Sequence, residues 1–141
     1  MPAYGFEPVI LGDDESLVHR AMTVTTTWYD HLMILGVRGS IDLFSVPQLR
    51  SAVREAVEAR PRGLIVDLTH TEFLASSGMA ELLAAHTAIA PEGRFGVVAA
   101  HPVTTRPLRA AGLDQTLTLY PTLRQAVSAM TDSDTQSLIS G

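Results

Sequence analysis

The sequence predicts a single α/β domain whose mixed sheet is antiparallel in its N-terminal strands and parallel in its second half, with helices packed on it. Three observations lead there. The runs "AMTVTTTWYD" and "HLMILGVRGSI" are β-branched and apolar and meet near Asp30 and His31, the pattern of two antiparallel strands. From Ser45 onward the period changes, and short apolar runs alternate with segments of helical spacing. Such alternation implies right-handed crossovers onto parallel strands. The chain of 141 residues shows no internal repeat and no dividing linker, which suits one domain with its own core.

Each element has its own signal. Val46, Leu49, Val53 and Val57 fall at helical spacing behind Ser45, a residue type that caps, and Pro47 is tolerable in a first turn; "ARPRG" ends that helix. "GLIVDL" is the nearly continuous apolar run of a strand covered on both faces. In "SSGMAELLAAHTAIA", Met79, Leu82, Leu83, His86 and Ile89 share one helical face. "RFGVVAA" is a second buried strand, the helix around "TTRPLRAAG" stops at Gly112, "TLTLY" is a last short strand and "TLRQAVSAM" a last helix. Residues 1–19 form an N-terminal segment that could add a strand, residues 20–130 the domain proper, and the polar 131–141 a frayed tail.

Composition removes several classes of function. Hydrophobic residues make up 46% and charged ones 18%, so the chain is globular rather than disordered or fibrous. There is no cysteine, which excludes disulfides, thiolate catalysis and cysteine-ligated metal. All ten basic residues are arginine, so lysine chemistry is excluded too. A net charge of -5 with scattered arginines argues against nucleic acid. No apolar run reaches the roughly 20 residues of a membrane span, and "MPAYGFEPVILGDDE" lacks the basic start of a secretory signal. The expectation is a cytoplasmic protein without a membrane partner.

Enzyme motifs fare no better. A hydrolase elbow needs glycine two residues before its serine, and "FLASSGM" has leucine or alanine there. The glycine pair of "EGRFGV" precedes a strand, whereas a dinucleotide loop follows one. His19, His31, His70, His86 and His101 are too dispersed for a helical metal pair. Neither a catalytic residue nor a metal or cofactor is expected. What stands out is "DLTHTEFLASSGM", where two serines and a glycine open a helix. Ser76 or Ser77 can cap it, an arrangement typically worth ~1 kcal/mol. The same helix N-terminus, with unpaired N–H groups and a positive dipole end, would accommodate a phosphate.

"VRGSID", then "GLIVDLTHTEFLASSGMAELLAAH", then "RFGVVAAHPVTTRPLRAAGLDQTLTLYPTLRQAV" resemble the STAS domain of bacterial anti-sigma factor antagonists, across residues 20 to 130. The resemblance implies a partner switch. An unphosphorylated antagonist binds an anti-sigma factor that is also a protein kinase and frees a sigma factor; phosphorylation reverses the binding and a serine phosphatase resets it. The implied phosphoacceptor is Ser76, flanked by Ala75, Ser77 and Gly78, with Asp42 of "GSID" as a supporting acidic residue and Asp67 to Thr69 as the strand end before the site. From the residues themselves, Asp42 can equally tighten the chain before the first helix. One position departs: the family usually has aspartate where this chain has Ala75, which bears on the phosphorylation step more than on the fold. Arg50, Arg54 and Met79 are the expected partner-binding residues. Two other readings stay open: a STAS module of another signalling assembly or for a small ligand, and a serine hydrolase using Ser76 or Ser77.

Overall fold

The computed structural model describes residues 21–140, with side chains through Thr131; the N-terminal segment 1–19, where the sequence could add a strand, lies outside the described residues. Strands β1 (Thr23–Tyr29) and β2 (Leu32–Ile41) form an antiparallel hairpin in which Tyr29 faces Leu32 across a two-residue turn. Asp30 takes the left-handed conformation there, with φ 54°, which aspartate tolerates better than bulky or β-branched residues. Helix α1 (Val46–Glu58) returns the chain to β3 (Gly63–Asp67), parallel to β2. After β4 (Thr71–Leu74) and α2 (Ser76–Ile89), β5 (Arg94–Val98) pairs with β3. Helix α3 (Pro102–Ala110) leads to β6 (Thr118–Tyr120) beside β5, and α4 (Leu123–Ser140) follows. The main sheet runs β1-β2-β3-β5-β6.

Two apolar layers hold the sheet. On one face Leu35, Val37, Leu64, Val66 and Val97 meet Leu49 and Val53 of α1, Leu82 and Ala85 of α2, and Leu108 of α3. On the other, Leu32, Ile65 and Val98 meet Ala126 and Met130 of α4. β3 therefore sends Leu64 and Val66 one way and Ile65 the other, all fully buried, so a continuous apolar run is what this strand requires. Helix α3 ends as its sequence suggests, with Gly112 at φ 75° and its N–H donating to the Arg109 carbonyl.

The pattern of apolar residues does not resolve β4. This short strand pairs in parallel with the far end of β2, through Ser40 with Phe73 and Ile41 with Leu74. It becomes possible because β2 is irregular between Gly39 and Ser40, Gly39 having φ 90°. The Thr71 hydroxyl pins the junction by donating to the Val37 carbonyl at 2.9 Å. Its four residues, two buried and two exposed, are too few to show a period. On α2 the buried positions are Gly78, Leu82, Ala85 and Ile89, while Leu83 is exposed, so the apolar face is narrower than its sequence suggests.

Candidate functional site

The serine pair lies where β4 hands over to α2. The Ala75 N–H continues the ladder by donating to the Ile41 carbonyl at 2.9 Å, so α2 begins directly beside the end of β2. The helix can start so close because residue 78 is glycine. A Cβ there would sit 2.4 Å from Ile41 Cγ2 and 3.0 Å from Leu74 Cδ1. Gly78 therefore sets the distance between the first turn and the sheet.

Neither serine is the cap. The N-cap position falls on Ala75, with extended backbone (φ -80°, ψ 163°) and no side-chain hydrogen bond to the helix. Ser76 is the first helical residue and is exposed. The Ser77 hydroxyl, one position on, is buried and has no hydrogen-bond partner. The Gly78 and Met79 N–H groups both donate to the Ala75 carbonyl, at 2.9 and 3.1 Å. Those of Ser76 and Ser77 stand at the start of the helix, where no carbonyl of the preceding turn exists to receive them. No acidic side chain occupies this first turn. An exposed hydroxyl thus sits at the positive end of a fourteen-residue helix.

Asp42 occupies the loop that leads from β2 to α1, and its carboxylate organises that loop. Asp42 Oδ1 accepts from the N–H groups of Phe44 and Ser45, at 2.9 and 3.0 Å. Ser45 stands at the N-cap position of α1 but makes no cap bond to the helix. Its hydroxyl instead donates to the Ser40 carbonyl at 2.8 Å and accepts from the Asp42 N–H at 2.9 Å. Asp67 closes a similar local turn after β3, accepting from the N–H and hydroxyl of Thr69.

Of the expected contact residues, Arg50 is half exposed, and its Nε donates to Glu81 of α2 at 2.9 Å. With the Arg50 side chain 52% and the Glu81 side chain 13% exposed, that pair lies at the surface and contributes about 0–1 kcal/mol. Arg54 is exposed on α1, and Met79 is half-buried against the core. Two residues escaped the sequence reading: Leu43 and Phe44 are 73% and 93% exposed on the Asp42 turn. Their signal is that they are apolar but precede the helical register beginning at Val46. Among the described residues, no group of three His, Asp or Glu side chains could hold a metal.

The STAS domain family matches residues 23–126. The chain belongs to that family. This STAS domain is 37% identical over 110 residues to the anti-sigma-F factor antagonist RsfB of Mycobacterium tuberculosis, covering 78% of this chain and 90% of RsfB. A crystal structure of an anti-sigma factor antagonist from Mycobacterium paratuberculosis shares 38% identity and a TM-score of 0.77, over 79% of this chain and 95% of that one. The anti-sigma factor antagonist SpoIIAA in its unphosphorylated form, at 18% identity and TM-score 0.66, spans 79% of this chain and 97% of its own; that likeness is one of fold. The order of elements read from periodicity, with β4 added, is the STAS order. Among the described residues no helix is long and apolar enough to cross a membrane.

Proposed function

We propose that this STAS domain is an anti-sigma factor antagonist. It binds an anti-sigma factor of the serine-kinase type and so frees a sigma factor, and phosphate on Ser76 controls the binding. The names of its relatives from the two mycobacteria support the role. The observation that carries the control step is the contrast between adjacent serines: Ser76 is exposed at the helix N-terminus, whereas the Ser77 hydroxyl is buried. In the proposed step the Ser76 hydroxyl oxygen takes the γ-phosphoryl group of ATP, ADP leaves and the hydroxyl proton passes to solvent. A serine phosphatase hydrolyses the ester and restores the antagonist.

Ala75 does not prevent this chemistry at the acceptor itself. A carboxylate at the N-cap would take the first-turn N–H groups for itself, whereas alanine leaves them to the phosphate oxygens. What Ala75 lacks is a group to orient the hydroxyl for a kinase, and this favours a second reading in which the domain binds its partner without a kinase step. Incubation with the cognate kinase and ATP, followed by phosphate mapping by mass spectrometry, separates them. The first reading expects one phosphate, on Ser76, lost in Ser76→Ala and kept in Ser77→Ala. No transfer to wild type, with transfer to Ala75→Asp, would establish the second.

A further inference from the structure

We infer that Leu43 and Phe44 form an apolar anchor that inserts into a pocket on the anti-sigma factor, and that Asp42 is the positioning residue that holds the anchor out. The inference rests on the antagonist reading and adds to it the part of the surface that supplies most of the attraction. Among the described residues, Leu43 and Phe44 are the two most exposed large apolar side chains, at 73% and 93%. They are neighbours on a loop that leaves β2 one residue after Ile41, whose carbonyl holds the Ala75 N–H at the start of α2. The anchor and Ser76 therefore belong to one rigid end of the domain. Phe73, 44% exposed, lies on β4 opposite Ser40, two residues before Asp42.

The exposure is imposed by the turn rather than left to chance. Phe44 N–H and Ser45 N–H bond to the Asp42 carboxylate, Val46 N–H bonds to the Asp42 carbonyl at 2.9 Å, and the Asp42 N–H bonds to the Ser45 hydroxyl. That hydroxyl is tied in turn to the Ser40 carbonyl of β2. With the backbone so held, turning the Phe44 Cα–Cβ bond inward would break several of these bonds, and the backbone part of the ordering entropy is met before binding. A side chain 93% exposed has no walls of its own, so its occupant must bring the pocket. That requirement points to a protein surface, and aromatic knobs seated in partner pockets are the usual carriers of interface affinity. Continuity with the Ser76 surface makes the anti-sigma factor that protein. The same arrangement explains the switch: a phosphate beside the anchor must be desolvated whenever the anchor is buried.

The test uses the full chain and each purified kinase-type anti-sigma factor of the same cell, with affinities measured by calorimetry. Phe44→Ala, at a surface position, should keep the melting temperature and raise Kd roughly ten- to a hundredfold. Leu43→Ala should act in the same direction. Asp42→Asn, whose side-chain oxygen can accept the same two N–H groups, should bind within about threefold of wild type, while Asp42→Ala should lose affinity. Unchanged Kd for a folded Phe44→Ala overturns the anchor while leaving the antagonist reading intact. Equal losses for Asp42→Asn and Asp42→Ala overturn the positioning role, because the charge itself would then matter. Self-association of the wild type that Phe44→Ala abolishes, with partner affinity untouched, would assign the anchor to a second copy of the chain and also overturn the inference. Absence of binding by wild type to any of the anti-sigma factors contradicts the reading beneath it.

Discussion

Ser76 and Ser77 are separated by one position and about 100° of helix rotation, and that rotation sends one hydroxyl to solvent and the other into packing. The chemistry of the site is thus decided by where the helix starts, which Gly78 controls through its contact with Ile41 and Leu74. Gly78→Ala forces a Cβ into atoms with no room to receive it, so we expect a loss of about 1–3 kcal/mol, read from urea denaturation. A loss well below that range would mean that α2 can shift outward freely, and then the placement of Ser76 would not depend on the glycine. The serines and the glycine were legible in the sequence because their residue types are rare together at the start of an apolar pattern. Their separate roles were not. Capping residues are usually polar, so a helix whose N-cap is alanine is shifted by one residue from where the side chains suggest it begins.

Among elements, α2 begins where sequence and position disagree, since its N-cap has the right backbone and the wrong side chain. Ala75 already holds φ and ψ values suited to a capping residue. Ala75→Asp should therefore stabilise the free domain by ~1 kcal/mol, about 3–5 °C in melting temperature for a domain of this size. Calorimetric scans of the two proteins check this, and an unchanged or lower melting temperature would show that the first turn cannot use a side-chain cap. The other elements differ in legibility for physical reasons. β3 was readable because burial on both faces demands an unbroken apolar run, and α1 because four apolar residues recur at helical spacing. β4 was not, since its pairing depends on the irregularity of β2 some thirty residues earlier, and no local pattern carries that information. The loop at Leu43 and Phe44 is hidden for the opposite reason: apolar residues next to a helix suggest core, and only the Asp42 turn and their exposure show otherwise.

At the scale of the whole molecule, the sheet and its two apolar layers fix one end on which the Ser76 turn, the Asp42 loop and the start of α1 come together. Charge at that end should act on association and leave the fold alone, because a helix N-terminus tolerates an anion that a packed interface does not. In the proposed switch, a loss of ~1.4 to 3 kcal/mol at the interface lowers affinity roughly ten- to more than a hundredfold, enough to release an anti-sigma factor. The most direct measurement is the affinity of Ser76→Glu for the cognate anti-sigma factor, taken together with its circular dichroism and melting curve. The proposed switch predicts Kd raised at least about tenfold with both spectra and melting temperature near wild type. Undiminished binding by a folded Ser76→Glu protein would contradict it, since the site would then not gate the interaction.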